Sequence, residues 1–341
     1  MKYLVKIFSG LTVLLVAAAL TGWSPGASAS ATLKQSPMLD AMVKAGKIPP
    51  LTERVPSEYQ KIDFKSAKKK TGKYGGKLRL LMGKQKDTRM VTVYGYARLV
   101  TFTPELEIEP NLLRAVDVEE NKVFTFHIRK GHKWSDGHPF TAEDFRYYWE
   151  DVANNSTLSP GGPPRTMTVD GNPAKFEVID KHTVRYSWDK PNNDFLIWLA
   201  GSRPAAIFRP AHYLKQFHMD HGNAEKIAAI VKDKGYKNWA KIHFRKDRYY
   251  RADNPEQPTL QPWINTTKPP ADRFVFKRNP YYHRIDDQGQ QLPYIDEIVV
   301  QLGTTSMIPA RTGSGESDLQ GRYLSLKDYT FLKKSGKQNK V

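Results

Sequence analysis

"FHIRKGHKWSDGHPFTAEDF", Phe126 to Phe145, is the densest run of polar chemistry in the chain, and its reading decides the fold. His132, Ser135, Asp136 and His138 carry the letters of a hydrolytic triad. Triads, however, are assembled from separated elements, so that nucleophile, base and orienter converge from different directions. Four residues on one tight turn do not achieve that. Asp136-Gly137 is a turn dipeptide, Pro139 fixes the chain, and Thr141 is placed to cap a helix. Trp134 then covers the edge of the core beneath the turn. The stretch reads as a framework corner, and catalysis is not expected from it.

The elements on either side fit a corner. "KVFTFHI" alternates as a strand, with Phe124, Phe126 and Ile128 facing one way and Val123, Thr125 and His127 the other. "TAEDFRYYWEDV" predicts a helix, with Asp144 at the capping-box position and Phe145, Tyr148, Trp149 and Val152 as its apolar stripe. "NSTLSPGGPPR" breaks that helix, and "AKFEVIDKHTVRYSW" predicts a hairpin. "NAEKIAAIVKDKG" predicts a second helix, from Asn223 as N-cap to Gly235 as stop.

Nearer the N-terminus, Ser36 and Pro37 open a short helix with Met38, Met42 and Val43 on one face, and "PPLTERVP" reads as extended. "KLRLLM" predicts a strand with Leu78, Leu80 and Met82 on one side, and "YARLVTF" a further one. Downstream, "NPEQPTLQPWINTTKPP" reads as a proline-rich loop, and "RFVFKRNPYY" and "YIDEIVVQL" as strands separated by the turn "DDQGQQLP". Strands and helices mix as in an α/β or α+β domain.

The chain has 341 residues, 39% of them hydrophobic, which is enough for a sizeable core. It contains no cysteine, so disulfides, thiolate metal sites and cysteine nucleophiles are excluded. Lys2 and Lys6 precede an apolar run from Ile7 to Leu20, and Ala27-Ser28-Ala29 follows as an A-x-A cleavage site. The run is short for a membrane span. Residues 1–29 therefore read as a signal peptide, and the product as exported to the periplasmic or extracellular cell-surface side. "LTGW", Leu20 to Trp23, has the form of a lipoprotein processing site, but Trp23 stands where the lipid-bearing cysteine would be. The protein is expected to be non-lipidated.

Net charge is +18, and removal of residues 1–29, which carry two lysines and no acid, leaves +16. That balance favours anionic partners. Lys65, Lys68, Lys69, Lys70, Lys73 and Lys77 crowd one glycine-containing loop with Tyr74 as the one aromatic nearby, which is the composition of a solvated linker and not of a nucleic-acid patch. His212, His218 and His221 lack metal-site spacing and read as surface histidines. "DDQGQQ" lacks the ligand pattern of a calcium loop.

One resemblance is specific. "FTFHIRKGHKWSDGHPFTAEDFRYYWED", Phe124 to Asp151, resembles the signature region of the family 5 solute-binding proteins of ABC transporters, through Arg129-Lys130-Gly131, Trp134-Ser135-Asp136-Gly137, Pro139-Phe140 and Thr141-Ala142-Glu143-Asp144. "SPMLDAMVKAGKIPPLTERVP", "YGGKLRL", "RNPYY" and "GQQLPYIDEI" look like the larger peptide-binding-like members with an N-terminal extension. The resemblance implies an α/β, periplasmic-binding-protein-like (type II) fold with a mixed sheet. It also implies an organisation: residues 1–29 as signal peptide, 30–75 as a basic N-terminal extension with a short helix, and 76–341 as the first lobe. "GESDLQGRYLSLKDYTFLKKSGKQNKV" looks like the run that leads up to the family's second lobe, so the second lobe is expected to be absent from this chain and the chain to be an N-terminal fragment.

The function implied is that of the extracytoplasmic solute-binding component of an ABC importer. It would capture a peptide or oligosaccharide between two lobes and deliver it to a membrane permease. No enzymatic activity, cofactor or nucleic-acid partner is expected, and the full-length protein is expected to be monomeric. The motif carries no ligand residue across. In peptide-binding members the first-lobe contact follows the first strand, here "MGKQKDT", so Gly83, Lys84 and Gln85 are candidate ligand-binding residues, with Tyr94, Tyr96 and Trp263 beside them. A solvated loop for the first three and core packing for the tyrosines are the competing roles. The competing function is that of a basic secreted protein that binds an anionic surface polymer.

Overall fold

The computed structural model describes residues 32–65, 68–203 and 206–338. By internal contacts the chain divides into Met1–Thr32 and Leu33–Val341, and every element below belongs to the second unit. Residues 1–29, read as a signal peptide with its cleavage site and Trp23, lie outside the described residues. No helix among the described residues is long and apolar enough to cross a membrane.

Two four-stranded sheets organise the molecule. The first is antiparallel, in the order Leu113–Glu119, Val123–Ile128, Thr183–Ser187 and Lys175–Asp180. The alternation read from "KVFTFHI" holds: Phe124, Phe126 and Ile128 are buried, while His127 points outward to Asp117 at 2.7 Å. These side chains build the larger core with Phe145, Tyr186, Trp188 and Phe195. Phe124 and Phe195 meet edge-on with centroids 5.1 Å apart, and Phe126 stacks on Phe195 at 5.8 Å.

The second sheet is mixed. Trp263–Asn265, Arg273–Arg278 and Glu297–Leu302 pair antiparallel in turn, and Lys77–Met82 joins Glu297–Leu302 in parallel. Leu80 and Met82 face the smaller core with Phe274, Phe276, Ile298 and Val300. Leu81, on the other face of the strand, is buried as well. The outer edge of Lys77–Met82 is covered by the chain at Asp318–Gln320. Asp318 N donates to Arg79 O at 2.9 Å, and the Gln320 amide spans Leu81 N and Leu81 O at 3.0 Å each. An otherwise free strand edge is thereby satisfied.

Several local expectations change. Leu51–Arg54 is a helical turn where extended chain was expected; it buries Leu51 and Arg54, and the Arg54 guanidinium donates to Pro280 O. In the preceding helix, Pro37–Lys44, Ser36 caps as read, but Leu39 is the buried residue, with Met38, Met42 and Val43 only half-buried. The strand read from "YARLVTF" shrinks to Val100–Phe102, because Arg89–Gly95 is a helix that ends with Tyr96 in the left-handed region. Val91, Thr92 and Val93 are poor helix formers, and burial of Val91 and Thr92 overrides that preference. The helix after the corner is α-helical over Ala142–Arg146 and widens to a π-helical turn over Tyr147–Ala153. The proline-rich loop contains the edge strand Trp263–Asn265.

Candidate functional site

The corner at Phe126–Phe145 uses its polar groups internally. Ser135 Oγ accepts from Thr259 N at 3.0 Å, and Ser135 N donates to Thr259 O at 3.1 Å. Asp136 accepts from His138 N at 3.1 Å and pairs with His212 at 2.8 Å. Gly137 has φ +90°, and a Cβ there would meet Tyr281 Oη at 2.8 Å, so this turn requires glycine twice over. Asp144 is buried and accepts from Thr141 N, Ala211 N and the Trp134 indole at 2.9, 3.1 and 3.2 Å. Burial pushes its carboxyl up to about 7 against the pull of those three donors. His132 is buried between Phe140 and His283, and desolvation holds it down at about 3, so it is neutral. Ser135, Asp136 and Asp144 thus spend their polar atoms on bonds within the fold, while His132 Nδ1 is buried without a partner.

The histidines read as surface residues are not uniformly so. His218 is fully buried and accepts from Asp220 N at Nδ1, while its Nε2 donates to Asp151 O at 3.0 Å. His243, missed in the sequence, packs beside it and meets Tyr147 Oη at 2.8 Å. Among the described residues no cluster of histidine and carboxylate ligands fit for a metal ion occurs.

A different arrangement stands at the carboxyl ends of the two parallel strands, where Lys77–Met82 and Glu297–Leu302 both finish. Open α/β sheets bind ligands at that end, because the loops that leave it diverge and expose backbone groups. Gly83 follows the first strand directly. A Cβ there would lie 2.3 Å from Thr305 Cγ2 and 2.8 Å from Tyr323 Cζ, so Gly83 lets two other segments close over the strand end. Lys84 is exposed, and its backbone N–H donates to Asp87 Oδ2 at 3.1 Å. Asp87 is buried, and the same oxygen accepts from Tyr323 Oη at 2.5 Å. Its Oδ1 has no hydrogen-bond donor, with Arg89 and Arg322 both 3.8 Å away. The Tyr323 hydroxyl is pushed up by desolvation and by its bond to Asp87. Tyr94 joins this group: it shares a shallow pocket with Asp87 and Arg322, and its hydroxyl presses on Gly321.

Gln85 looks the other way. It lines an open groove of about 1050 Å³ that runs along the helix Ala240–Lys246 to Arg251 and Lys268. Thr88 Oγ1 ties the two sides together by a 2.6 Å bond to Arg251 O.

The structure therefore gathers Gly83, Lys84 and Tyr94 around one strand end, with Gln85 adjacent in sequence but facing the groove. Tyr96 and Trp263 are elsewhere. The Tyr96 hydroxyl donates to Ala200 O at 2.6 Å, with the Arg98 guanidinium 5.0 Å over its ring. Trp263 donates to Ile295 O at 3.0 Å and lines a separate cavity of about 60 Å³ beside Arg98 and Asn265. Asp87, Arg251, Arg322 and Tyr323 went unread in the sequence. Asp87 accepts from Lys84 N three residues before it and so closes the turn Gln85–Thr88, but Tyr323 lies 236 positions from its partner and carries no local signal.

Comparison with known proteins agrees with this architecture. A family model described as bacterial extracellular solute-binding proteins, family 5 Middle, matches residues 107–340. The periplasmic alpha-galactoside-binding protein of Rhizobium meliloti (strain 1021) is 29% identical over 302 residues, which is 81% of this chain and 40% of that protein. Among solved structures, the oligopeptide-binding protein OppA superposes with a TM-score of 0.80 at 31% identity, over 89% of this chain and 48% of that one. The periplasmic binding protein MelB from Agrobacterium fabrum C58, in complex with stachyose, gives 0.68 at 26% identity over 89% of this chain and 46% of its own. The chain thus spans somewhat less than half the length of these relatives.

Proposed function

The chain belongs to the bacterial extracellular solute-binding proteins of family 5, and from that premise we propose that it supplies the first lobe of a solute receptor for an ABC importer. Its ligand is a peptide or an oligosaccharide, the classes recorded in the names of the alpha-galactoside-binding protein, OppA and the stachyose complex of MelB. The observation that carries the reading is the cluster at the carboxyl ends of the parallel strands. There Lys84 is exposed beside the half-buried Gly83, and Asp87 holds the turn through Lys84 N and the Tyr323 hydroxyl.

The proposed ligand-binding residues are Gly83, Lys84, Gln85 and Tyr94, with Tyr96 and Trp263 acting from beneath as supports of the surrounding frame. The protein acts outside the cytoplasm, without a lipid at Trp23, and hands its ligand to a membrane permease. It binds its ligand and leaves it chemically unchanged. Residues 30–75 serve as an extension that braces the lobe: Ser36 Oγ donates to Asp296 at 2.9 Å, and Arg54 reaches Pro280 O.

A single lobe offers a ligand contacts from one side only, while the cost of immobilising the ligand is met in full. Half of a micromolar binding energy of about −8 kcal/mol corresponds to roughly millimolar affinity. Titration of short peptides and oligosaccharides against residues 30–341 is expected to give dissociation constants near millimolar. Micromolar binding in a monodisperse monomer would contradict the one-lobe reading. The absence of binding by every member of the panel would contradict the site.

A further inference from the structure

The groove beside Gln85 is a different surface from the strand-end turn, shares only that residue with it, and does not depend on the transport reading. Its wall is basic. Two acids line it, and both are occupied: Asp253 takes Arg248 at 2.7 Å, and Glu256 takes Lys246 at 2.6 Å and Lys268 at 3.6 Å. Lys237, Lys241, Arg245 and Arg251 line the same groove with no carboxylate partner among the described residues. Lys241 and Arg245 are four residues apart on the helix Ala240–Lys246, so they project from one face about 6 Å apart. Between them in sequence, Phe244 is 63% exposed, which is unusual for phenylalanine inside a concave surface. Pro160 and Pro269 add apolar ring faces.

We infer that this groove binds an acidic peptide, with side-chain carboxylates on Lys241, Arg245 and Arg251 and the aliphatic stems between them on Phe244. Arg245 lies 5.4 Å over the Tyr236 ring, which leaves its charge without a carboxylate. Cations without a carboxylate partner in a recess focus potential toward an incoming anion, and guanidinium groups suit carboxylates by geometry as well as by charge. The apolar component selects among polyanions. A glutamate-containing peptide brings methylene groups to cover Phe244, whereas inorganic polyphosphate brings none.

The test is fluorescence anisotropy with a labelled peptide of alternating glutamate and alanine, added to the 341-residue chain at low salt. Lys241→Glu with Arg245→Glu is expected to weaken binding at least tenfold. Lys69→Glu with Lys70→Glu, the same change of net charge on the distant lysine loop, is expected to weaken it less than twofold. Phe244→Ala, which removes an exposed ring and no charge, should weaken binding about threefold. A lysine–alanine peptide should not compete. Equal losses in the two charge-reversed variants would reduce the effect to net charge and overturn the proposal. So would stronger competition by polyphosphate or oligogalacturonate than by unlabelled peptide, an unchanged affinity in Phe244→Ala, or no binding at all.

Discussion

The corner at Phe126–Phe145 and the groove at Gln85–Lys268 make opposite use of polar residues. In the corner, Ser135, Asp136 and Asp144 each hold partners at hydrogen-bond distance, and His132 is sealed among rings. In the groove, the acids are occupied and four cations have no carboxylate partner among the described residues. The corner looks like chemistry in the sequence and is architecture in the fold, while the groove has no motif and keeps its charge available. Density of polar letters is therefore a poor guide to a site. What distinguishes a binding surface is polar capacity left unused once the fold is complete.

The comparison predicts that substitutions in the corner lower stability and that substitutions in the groove do not. The largest effect is expected for Asp144→Ala, which leaves the N–H groups of Thr141, Ala211 and Trp134 without an acceptor in a buried setting. A loss of about 3 kcal/mol or more should appear as a lowered urea midpoint. An unchanged midpoint would mean that the corner is not held together as described.

Next is pH. His132 titrates near 6.5 when unfolded and is held at about 3 by desolvation when folded, with Arg129 and His283 beside it. Its contribution is fully present above pH 6.5 and is lost as pH falls through that window toward 3. Asp144 has the opposite sign: with a folded value of about 7, its contribution is present below about 3.8 and is lost as pH rises toward 7. The two oppose each other in the parent chain, so variants must separate them. Relative to His132→Leu, the parent chain should lose about 2 kcal/mol of stability between pH 7 and pH 5. A constant gap between the two urea melts would show that His132 is not buried as a neutral ring.

Smaller still, Ser135→Ala removes one acceptor from Thr259 N and should cost about 1 kcal/mol in the same melts. A cost near zero would mean that the Ser135 hydroxyl does not hold Thr259 N, leaving the backbone bond from Ser135 N to Thr259 O as the tie between the two segments. The smallest effect is expected in the groove, where Lys241→Ala and Arg251→Ala should each stay within about 0.5 kcal/mol of the parent. A larger loss would mean that these cations have structural partners after all and would dissolve the contrast.

Much of the frame was legible because its signals are local. Alternation in Val123–Ile128, the hairpin from Lys175 to Ser187 and the Asn223 cap, which accepts from Lys226 N at 2.8 Å, are each written within a few residues. Elements decided by distant packing were hidden. The β-branched Val91 and Thr92 argue against the helix that their burial imposes, and prolines disguise Trp263–Asn265, an edge strand that the sheet completes. The candidate site divides in the same way. "MGKQKDT" could be singled out from the strand before it, but Asp87, Tyr323 and Thr305 meet only in three dimensions. No local pattern announces that Asp253 and Glu256 are occupied while Arg251 is free.

The most direct test of the central claim is a chemical-shift map of the backbone amides of residues 30–341, recorded with short peptides and oligosaccharides at millimolar concentration. The account predicts that the ligand that binds perturbs Gly83–Tyr94 and Gly321–Tyr323 and leaves His132–Asp144 unmoved. Perturbation centred on Ser135, Asp136 and His138, with residues 83–94 silent, would contradict it.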